Sequence, residues 1–458
     1  MPISLRALPG MRSRHQQLIK IAAPAILENI VSVMITSIDA KMIAPLGKTA
    51  VSAVALTTQP KLFFLSVFYA LGTTVSIFVS QALGKKNQDE ANEYFHTVLR
   101  MCLISSVILM AGLALFAAPV MRLFSRQRET LELSVSFFRI VMGLMIFQNV
   151  SIVLNAALRG IGETRVTFLC SVAMGAVDIL TNYLLIEGHW GFPRLEVKGD
   201  AIGTVAGTVA ACAVSFIYLT RHSDFLSLKG FWSRKRKGPE TVKAIRLKFG
   251  NVLFENIFTR IGFLVSSVIV SGLPAGDTAV YFVAMILLNY TFSFGDGLQS
   301  AIVSITGQSM GAGKPHETRD SARYGRSIGL GMAVALSAVY ILGGRWFMGQ
   351  YFTDEASLAR GVQYSYVVAS LTVLQILRMV NIAAMRGIGE VKIPRVMATV
   401  CVMIINPAAG FLLAEVFGFG IWGIWMASLI TQIAWYLMSL VKANACIGNL
   451  QTPQAEGC

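Results

Sequence analysis

Long apolar stretches alternate with short polar connections along most of the chain. Twelve such stretches begin near residues 18, 58, 98, 134, 166, 200, 249, 279, 325, 362, 394 and 420. Each is about 20 residues long, which is the length that an α-helix needs to cross roughly 30 Å of hydrocarbon. They are continuously apolar, whereas strands of a membrane barrel alternate in segments of about ten residues. The pattern predicts an all-α membrane protein with twelve transmembrane helices.

Several sequence landmarks recur in the second half of the chain at one constant spacing, which indicates an internal duplication. These landmarks are ALRGIGE at 157–163 with AMRGIGE at 384–390, LENI at 27–30 with FENI at 254–257, and Gln81 and Gly84 with Gln308 and Gly311. A shared register of charged and glycine positions is typical of a repeated unit. The RGIGE segments are interpreted as glycine turns between helices, because a nucleotide-binding loop would follow a strand and carry more glycines.

The duplication defines the predicted domain organisation. An N-terminal six-helix lobe covers 1–225, a basic linker covers 226–248, and a C-terminal six-helix lobe covers 249–458. Because each lobe has an even number of spans, both begin on the same side of the membrane. We therefore expect the lobes to be related by a pseudo-two-fold axis along the membrane normal, as in transporters with parallel repeats.

Composition and charge support a membrane protein with a defined orientation. Apolar residues make up 55% of the chain and charged residues only 14%, and the mean hydropathy is +0.63. The net charge of +15 comes mainly from Lys and Arg in alternate connections, above all in 233–248. By the positive-inside rule, both termini and the linker are expected to be cytoplasmic. The charge thus indicates topology rather than nucleic-acid binding, and the linker either contacts anionic lipid headgroups or is a solvated basic loop.

Cysteines and histidines show no spacing that is typical of a metal site or a disulfide framework. The six cysteines are scattered through spans and the C-terminal tail, and the five histidines lie far apart in connections. No catalytic constellation appears either. We therefore expect no enzyme activity, no metal site and no cofactor.

Four acidic residues within apolar stretches are the first candidates for function: Glu28, Asp39, Asp178 and Glu255. An aspartate at the centre of a membrane helix costs about 2.5–3.5 kcal/mol on insertion scales, so such groups usually face an interior or a pathway. Glu28 and Asp39 are three helical turns apart, on one face of the first span and separated by roughly 16 Å. The alternative is that Asp39 lies at the membrane interface, where neighbouring Lys41 neutralises its charge.

The fifth span adds a carboxylate and an amide on one helical face. Asp178 and Asn182 are four residues apart, so their side chains lie on the same side of the helix. Together they can coordinate a small cation or pass a proton. The alternative is a purely structural hydrogen bond between Asp178 and Asn182 or a neighbouring helix.

The motifs resemble those of the multidrug and toxic compound extrusion (MATE) transporters, nearest the prokaryotic DinF-like branch, along essentially the whole chain. The matching segments are ENIVSVMITSIDAKMIAPLGKTAVSAVAL, SQALGKKNQDEA, NAALRGIGETR, VDILTNYLLI and GDAIGTVAGT. The resemblance implies a two-lobed, twelve-helix antiporter that expels organic, often cationic compounds in exchange for protons or sodium ions. It gives Asp39 the role of the first-helix aspartate in an N-lobe cation-coupling cluster.

Other members of that cluster follow from the same resemblance. Thr208 matches a span-six threonine that often joins it, and Asn155 in span four is a further candidate. In that branch the fifth span commonly reads Asn, three residues, Asp. Here Asp178 precedes Asn182, and this exchange leaves the coupling ion open.

The second lobe is expected to contribute substrate-pathway residues, with Glu28 of the first lobe. Glu255 matches a span-seven acid that some MATE branches use, and it either contacts substrate or forms an ion pair with Arg260. The span-ten acid is missing, and Gln375 occupies roughly its place, one turn before Arg378. Asp296, in FSFGDGLQS, is expected to mark a helix break or a polar seam, or to line the pathway.

The resulting prediction is a secondary active antiporter that works by alternating access in the bacterial cytoplasmic (inner) membrane. Its partners are a small-molecule substrate and membrane lipid, and it is expected to be a monomer. The alternative is a lipid-linked saccharide flippase of related fold, which would need a cationic lumen and for which Arg260 and Arg378 are candidates. A channel or a membrane enzyme fits the sequence less well, because neither a filter loop nor a catalytic group is present.

Overall fold

The computed structural model describes residues 11–124, 127–231 and 239–450. Every regular element in these ranges is a helix, and none of the described residues forms a strand. Residues 232–238, which hold much of the basic run used for the topology prediction, lie outside the described residues.

The first half of the chain contains seven α-helices. They are α1 (Met11–Ile43), α2 (Lys48–Gly84), α3 (Gln88–Arg122), α4 (Arg128–Gly143), α5 (Ile146–Gly160), α6 (Thr164–Ile186) and α7 (Val197–Arg221). Short 3-10 turns follow α1 and α6, at Ala44–Leu46 and His189–Gly191.

The second half contains seven more helices. They are α8 (Pro239–Ser271), α9 (Ala275–Gly311), α10 (Pro315–Met348), α11 (Glu355–Gly387), α12 (Lys392–Ala398), α13 (Asn406–Phe411) and α14 (Gly420–Asn449). The π-helical segments Thr399–Ile405 and Leu412–Val416 continue the chain from α12 through α13, so that Lys392–Val416 forms one span-length element.

The helices confirm the twelve predicted spans. Eleven elements are long and apolar enough to cross a membrane, and α4 and α5 together make the twelfth. These two helices meet at a bend of 51°, whereas the hydropathy predicts one continuous helix for the fourth span. The protein is an all-α integral membrane protein.

The helices group into two compact units. One unit is Leu27–Leu253, and the other combines Phe254 onward with the part of α1 that ends at Ile26. The first unit has a core of large side chains from α2 to α5, including Phe68, Phe95 and Phe138. In the second, Trp425 is fully buried and its ring contacts those of Tyr281 and Tyr364.

The RGIGE segments are turns, as the sequence analysis predicts. α5 ends at Gly160 and α6 begins at Thr164, while α11 ends at Gly387. The second glycine of each segment has a positive φ, +89° at Gly162 and +94° at Gly389, a region that residues with a Cβ rarely adopt. The glycines therefore close the same turn in both units.

The expectation of a helix break at Asp296 is wrong. α9 runs without interruption from Ala275 to Gly311, and the Asp296 side chain is exposed on it. The neighbouring glycines are used for packing instead, since a Cβ at Gly297 would lie 2.7 Å from the backbone of Ile26 in the same unit.

Candidate functional site

Polar side chains from three helices meet within the unit Leu27–Leu253, and a lysine on a fourth helix interacts with them electrostatically. We call this group the carboxylate cluster, and its members are Asp39 on α1, Lys61 on α2, Asp178 and Asn182 on α6, and Asp200 on α7. Asp178, Asn182 and Asp200 are at most 2% exposed, whereas Asp39 and Lys61 are half-buried.

Asn182 is the centre of the carboxylate cluster. Its Nδ2 lies 3.2 Å from Asp39 Oδ1, 3.2 Å from Asp178 Oδ1 and 3.3 Å from Asp200 Oδ1. A single amide group thus donates to three carboxylates, although it has only two N–H bonds. Its Oδ1 is buried and accepts no hydrogen bond from the described residues.

Glycines allow the helices to approach closely enough to form this cluster. A Cβ at Gly203 of α7 would lie 1.9 Å from Asn182 Oδ1 and 3.1 Å from Asp178 Oδ1. A Cβ at Gly175 of α6 would lie 2.3 Å from Cδ1 of Ile35 on α1. The contacts to Asn182 and Ile35 are shorter than any real carbon contact, so a larger residue would fit at either position only if these side chains moved.

Lys61 supplies the positive charge of the cluster. Its ammonium interacts electrostatically with Asp200, Asp178 and Asp39. The cluster therefore contains three acidic groups and one basic group. The sequence prediction treats only Arg260 and Arg378 as basic residues within spans and misses Lys61, which follows Pro60 inside α2.

Asp200 is the second residue that sequence reasoning missed. It belongs to the GDAIGTVAGT motif at the start of predicted span six, but it is not among the predicted cluster members. In the structure α7 begins at Val197, so Asp200 is already inside the helix and buried. The sequence signal that could have identified it is an acidic residue in the first turn of a predicted span.

Two predicted cluster members have other hydrogen-bond partners. The Thr208 hydroxyl donates to the carbonyl oxygen of Val205 in its own helix, at 2.8 Å. Asn155 Oδ1 accepts a bond of 2.7 Å from Ser215, whose hydroxyl also contacts Cys170. Cys170 precedes Asp178 by about two turns on α6, about 12 Å along the axis, so Asn155 belongs to a different polar group.

Glu28 lies in a buried ion pair rather than in the carboxylate cluster. Arg159 Nη1 donates to Glu28 Oε1 at 2.7 Å, and the Thr167 hydroxyl donates to Glu28 Oε2 at 2.6 Å. Glu28 and Asp39 thus both contact α6, as expected for residues on one face of α1.

Glu255 forms the corresponding ion pair in the other unit. Its Oε1 accepts a bond of 2.9 Å from Arg386 Nη2. The prediction that Glu255 pairs with Arg260 is wrong, because its partner is Arg386. Five residues turn an α-helix by about 140°, which puts Arg260 on a different side of α8 from Glu255. The second carboxylate oxygen, Oε2, is buried without a hydrogen-bond partner among the described residues.

Of the other predicted pathway residues of that unit, Arg378 interacts with Glu255 of this pair. Arg378 is buried, interacts electrostatically with Glu255 and Asp296, and stacks its guanidinium 3.6 Å from the centroid of the Trp435 ring. Gln375 is buried on α11, with its Nε2 unpartnered among the described residues.

No group of three His, Cys, Asp or Glu side chains within residues 11–124, 127–231 and 239–450 is arranged to hold a metal ion. The three carboxylates point to the amide of Asn182, which occupies the place where they converge. The five cysteines in the described ranges are free thiols.

Comparison with known families accounts for the duplication. The MatE family model matches the chain twice, at residues 24–184 and 252–412. The chain belongs to the MatE family. The two MatE matches cover more than half of the sequence and fall one in each half, as the repeated motifs predict. MatE proteins are transporters, and the protein is therefore a transporter and not an enzyme.

Individual MatE relatives are distant but cover nearly the whole chain. A protein of Bacillus subtilis described as "Uncharacterized transporter YisQ" is 23% identical, over 92% of both chains. The "Probable multidrug resistance protein NorM" of Thermotoga maritima is 20% identical, over 91% of this chain and 89% of its own. The solved structure of an outward-facing multidrug resistance MATE transporter superposes with a TM-score of 0.89 at 16% identity, covering 96% and 97% of the two chains.

Proposed function

We propose that the protein is a secondary active antiporter that exports organic compounds in exchange for protons or sodium ions. The observation that carries the proposal is the carboxylate cluster, in which Asp39, Asp178 and Asp200 converge on Asn182 inside a membrane-spanning unit. Ionisable groups at such depth are expensive and usually serve an ion pathway.

The charge balance of the cluster explains why it would take up cations. Three carboxylates face one ammonium, that of Lys61, so two negative charges have no counter-charge within the cluster. Like charges this close disfavour the ionised form, and an incoming proton or sodium ion relieves the repulsion. Asp39 and Lys61 are half-buried and the remaining members are buried, which makes Asp39 the group that an ion meets first.

Coupling requires that the ion bind one conformation better than the other. Loading of the carboxylate cluster removes net negative charge from among α1, α2, α6 and α7 and changes the hydrogen bonds that Asn182 can donate. In our proposal, the loaded state favours release of substrate to the outside, and unloading restores the inward-open state. This is alternating access driven by an ion gradient.

We infer that the substrates are organic cations or amphipathic molecules. Relatives described as multidrug resistance proteins support this inference. In the unit that contains Glu255, buried polar atoms without partners among the described residues are available for substrate contact. They include Glu255 Oε2 and Gln375 Nε2. Arg260, Asp296 and Glu28 stay candidate pathway residues.

The flippase alternative is less consistent with the observed side-chain partners. A pyrophosphate substrate would need free guanidinium groups in the lumen. Arg378 is stacked on Trp435 and Arg386 is paired with Glu255, so both are already engaged. The basic loops support a placement in the bacterial cytoplasmic membrane with both termini cytoplasmic, and a monomer is the simplest assembly.

Transport in proteoliposomes tests the proposal. Export of a cationic dye should be driven by a proton gradient or by a sodium gradient, each imposed separately. Asp39→Asn should abolish ion-driven export while the protein inserts and folds normally. The control is Asp89→Asn, which changes an exposed aspartate on α3 of the same unit. Ion-driven export by Asp39→Asn at the wild-type rate would refute the coupling role.

A further inference from the structure

A cavity of about 320 Å³ lies between α10 and α14, and none of its lining residues belongs to the groups described above. We call it the arginine pocket, and its lining residues are Arg319, Ala322, Arg323, Arg326, Asn444 and Ile447. Its volume is at the lower end of the range for small-molecule sites, roughly 300–1,000 Å³.

The arginine pocket has a charge that its own residues do not balance. Arg319, Arg323 and Arg326 follow one face of α10 at i, i+4 and i+7. None of the lining residues is acidic, and none of the three arginines forms an ion pair with another described residue. Like charges four residues apart on a helix repel one another, and a bound anion would relieve this repulsion.

The Arg326 guanidinium is fixed by a hydrogen bond through its Nε and has a second nitrogen, Nη2, without a partner among the described residues. Its Nε donates to Asn381 Oδ1 at 2.8 Å, and Asn381 in turn donates to the Ser439 hydroxyl at 3.1 Å. Its Nη2 is buried and has no hydrogen-bond partner among the described residues. A buried charged donor without a partner is costly, and an anion held in the adjoining cavity would stabilise this charge through space.

The same positions of the repeat are filled differently in the other unit. In the register that aligns the two RGIGE segments, Arg319 and Arg323 correspond to Asn92 and His96. There Asn92 Oδ1 accepts from the backbone N–H of Ser227 at 2.8 Å, and His96 Nε2 lies 2.7 Å from the Ser227 carbonyl oxygen. These side chains thus bind the chain's own backbone, whereas the arginines face a cavity.

We propose that the arginine pocket binds a phosphate group. Guanidinium groups match the oxygens of phosphate with paired hydrogen bonds, and three of them surround one cavity here. The pocket is close to the start of α10 and to the end of α14, so it is at the level where membrane spans reach the headgroups. Basic pockets between spans on the cytoplasmic side bind anionic headgroups. The phosphate belongs either to an anionic phospholipid or to a soluble phosphate compound.

Two arms of one experiment separate these sources. The full-length protein is purified in detergent and stripped of lipid. Native mass spectrometry then measures binding of phosphatidylglycerol against phosphatidylcholine with the same acyl chains. In the second arm, thermal unfolding is compared in sodium phosphate and in sodium chloride of equal ionic strength. Preference for phosphatidylglycerol assigns the site to lipid, and stabilisation by phosphate without a lipid preference assigns it to a soluble compound.

The decisive variant is Arg319→Gln with Arg323→Gln, because both side chains are exposed and their loss should not prevent folding. We expect this double variant to bind phosphatidylglycerol or phosphate, whichever the wild type binds, about tenfold or more weakly. Lys442→Gln removes an exposed charge from α14 outside the pocket and should bind as the wild type does. Ala322→Leu leaves the charge unchanged and fills the cavity, and it should also lose binding.

The proposal is overturned if the wild type prefers neither phosphatidylglycerol nor phosphate. It is equally overturned if Lys442→Gln weakens binding as much as the double variant does, since the effect would then be general surface charge. Binding by Ala322→Leu at the wild-type level would show that the cavity is not used. None of these outcomes depends on ion-coupled export.

Discussion

Arg159 and Arg386 occupy the same position of the duplicated unit, and each donates to the glutamate at the equivalent position of LENI or FENI. The N···O distances are 2.7 Å to Glu28 and 2.9 Å to Glu255. The two pairs are not identical in their surroundings. Thr167 satisfies the second oxygen of Glu28, whereas Pro394 stands at the corresponding position for Glu255 and has no hydroxyl to donate.

Removal of one partner of these ion pairs should destabilise the protein strongly. Breaking a buried pair leaves an uncompensated charge, which costs about 3–5 kcal/mol. We expect Arg386→Met to lower the unfolding temperature more than Arg159→Met, because the Arg386 side chain is 10% exposed and that of Arg159 is 24% exposed. Thermal unfolding in detergent measures the difference.

A double-mutant cycle provides the control for this prediction. Glu255→Gln with Arg386→Met should be less harmful than Arg386→Met alone, since no buried charge is left unpaired. The exposed pair of Arg345 and Glu355 serves as a reference, for which a coupling of roughly 0.2–1 kcal/mol is expected. Equal effects in the buried and the exposed pair would contradict the structural role.

Asn182 should be required for the integrity of the carboxylate cluster. Asn182→Leu has a similar volume but removes the donor that three carboxylates share, and each lost hydrogen bond to a charged group costs roughly 1.5–3 kcal/mol. We expect lower thermal stability together with loss of ion-driven export. Asn149→Leu, another fully buried asparagine of the same unit, should lower stability but leave the ion dependence of export unchanged.

Lys61 should set the affinity of the cluster for sodium ions. Lys61→Gln removes the only positive charge of the cluster, so a cation should bind more tightly. For charges about 6–15 Å apart at an effective dielectric constant near 20, the gain is about 1–3 kcal/mol, or roughly 5- to 150-fold. The effect is measured by thermal unfolding, as the increase in the unfolding temperature of the variant in sodium chloride relative to choline chloride.

Lys48→Gln is the matched control for Lys61→Gln. It removes an exposed ammonium from the first turn of the same helix and should leave the sodium response as it is in the wild type. If Lys61→Gln and Lys48→Gln respond to sodium alike, the ammonium of Lys61 has no part in the ion site.

Gly203→Ala should disrupt the cluster although it adds only a methyl group. Its Cβ would collide with Asn182 Oδ1, which α7 and α6 hold in place, and overpacking of this kind costs about 1–3 kcal/mol. A Cβ at Gly112 of α3 would have no atom within 4 Å. Gly112→Ala should therefore raise the free energy of unfolding by up to about 1 kcal/mol, because alanine favours the helix over glycine by this amount. A loss of export in both variants would indicate a general sensitivity to glycine replacement.

The apolar pattern and the repeated motifs alone predict the number of spans, the helical class and the duplication. Apolar length and the matched RGIGE turns depend only on local residue properties, because a membrane span must satisfy its backbone hydrogen bonds within one helix. Asp39, Asp178 and Asn182 could be found for the same reason, since a charge within an apolar run stands out whatever its neighbours are.

Which polar groups come into contact depends on how the helices pack against one another, and the hydropathy pattern does not contain this information. Lys61 and Asp200 lie near the ends of apolar runs, where a charge is ordinary, and their convergence with Asp178 depends on how glycines let α6 and α7 approach. Arg386 rather than Arg260 pairs with Glu255, because proximity across helices is set by rotation about the axis and not by sequence distance. Hydropathy fixes where a helix lies in the membrane, but side-chain packing fixes which face it turns to its neighbours.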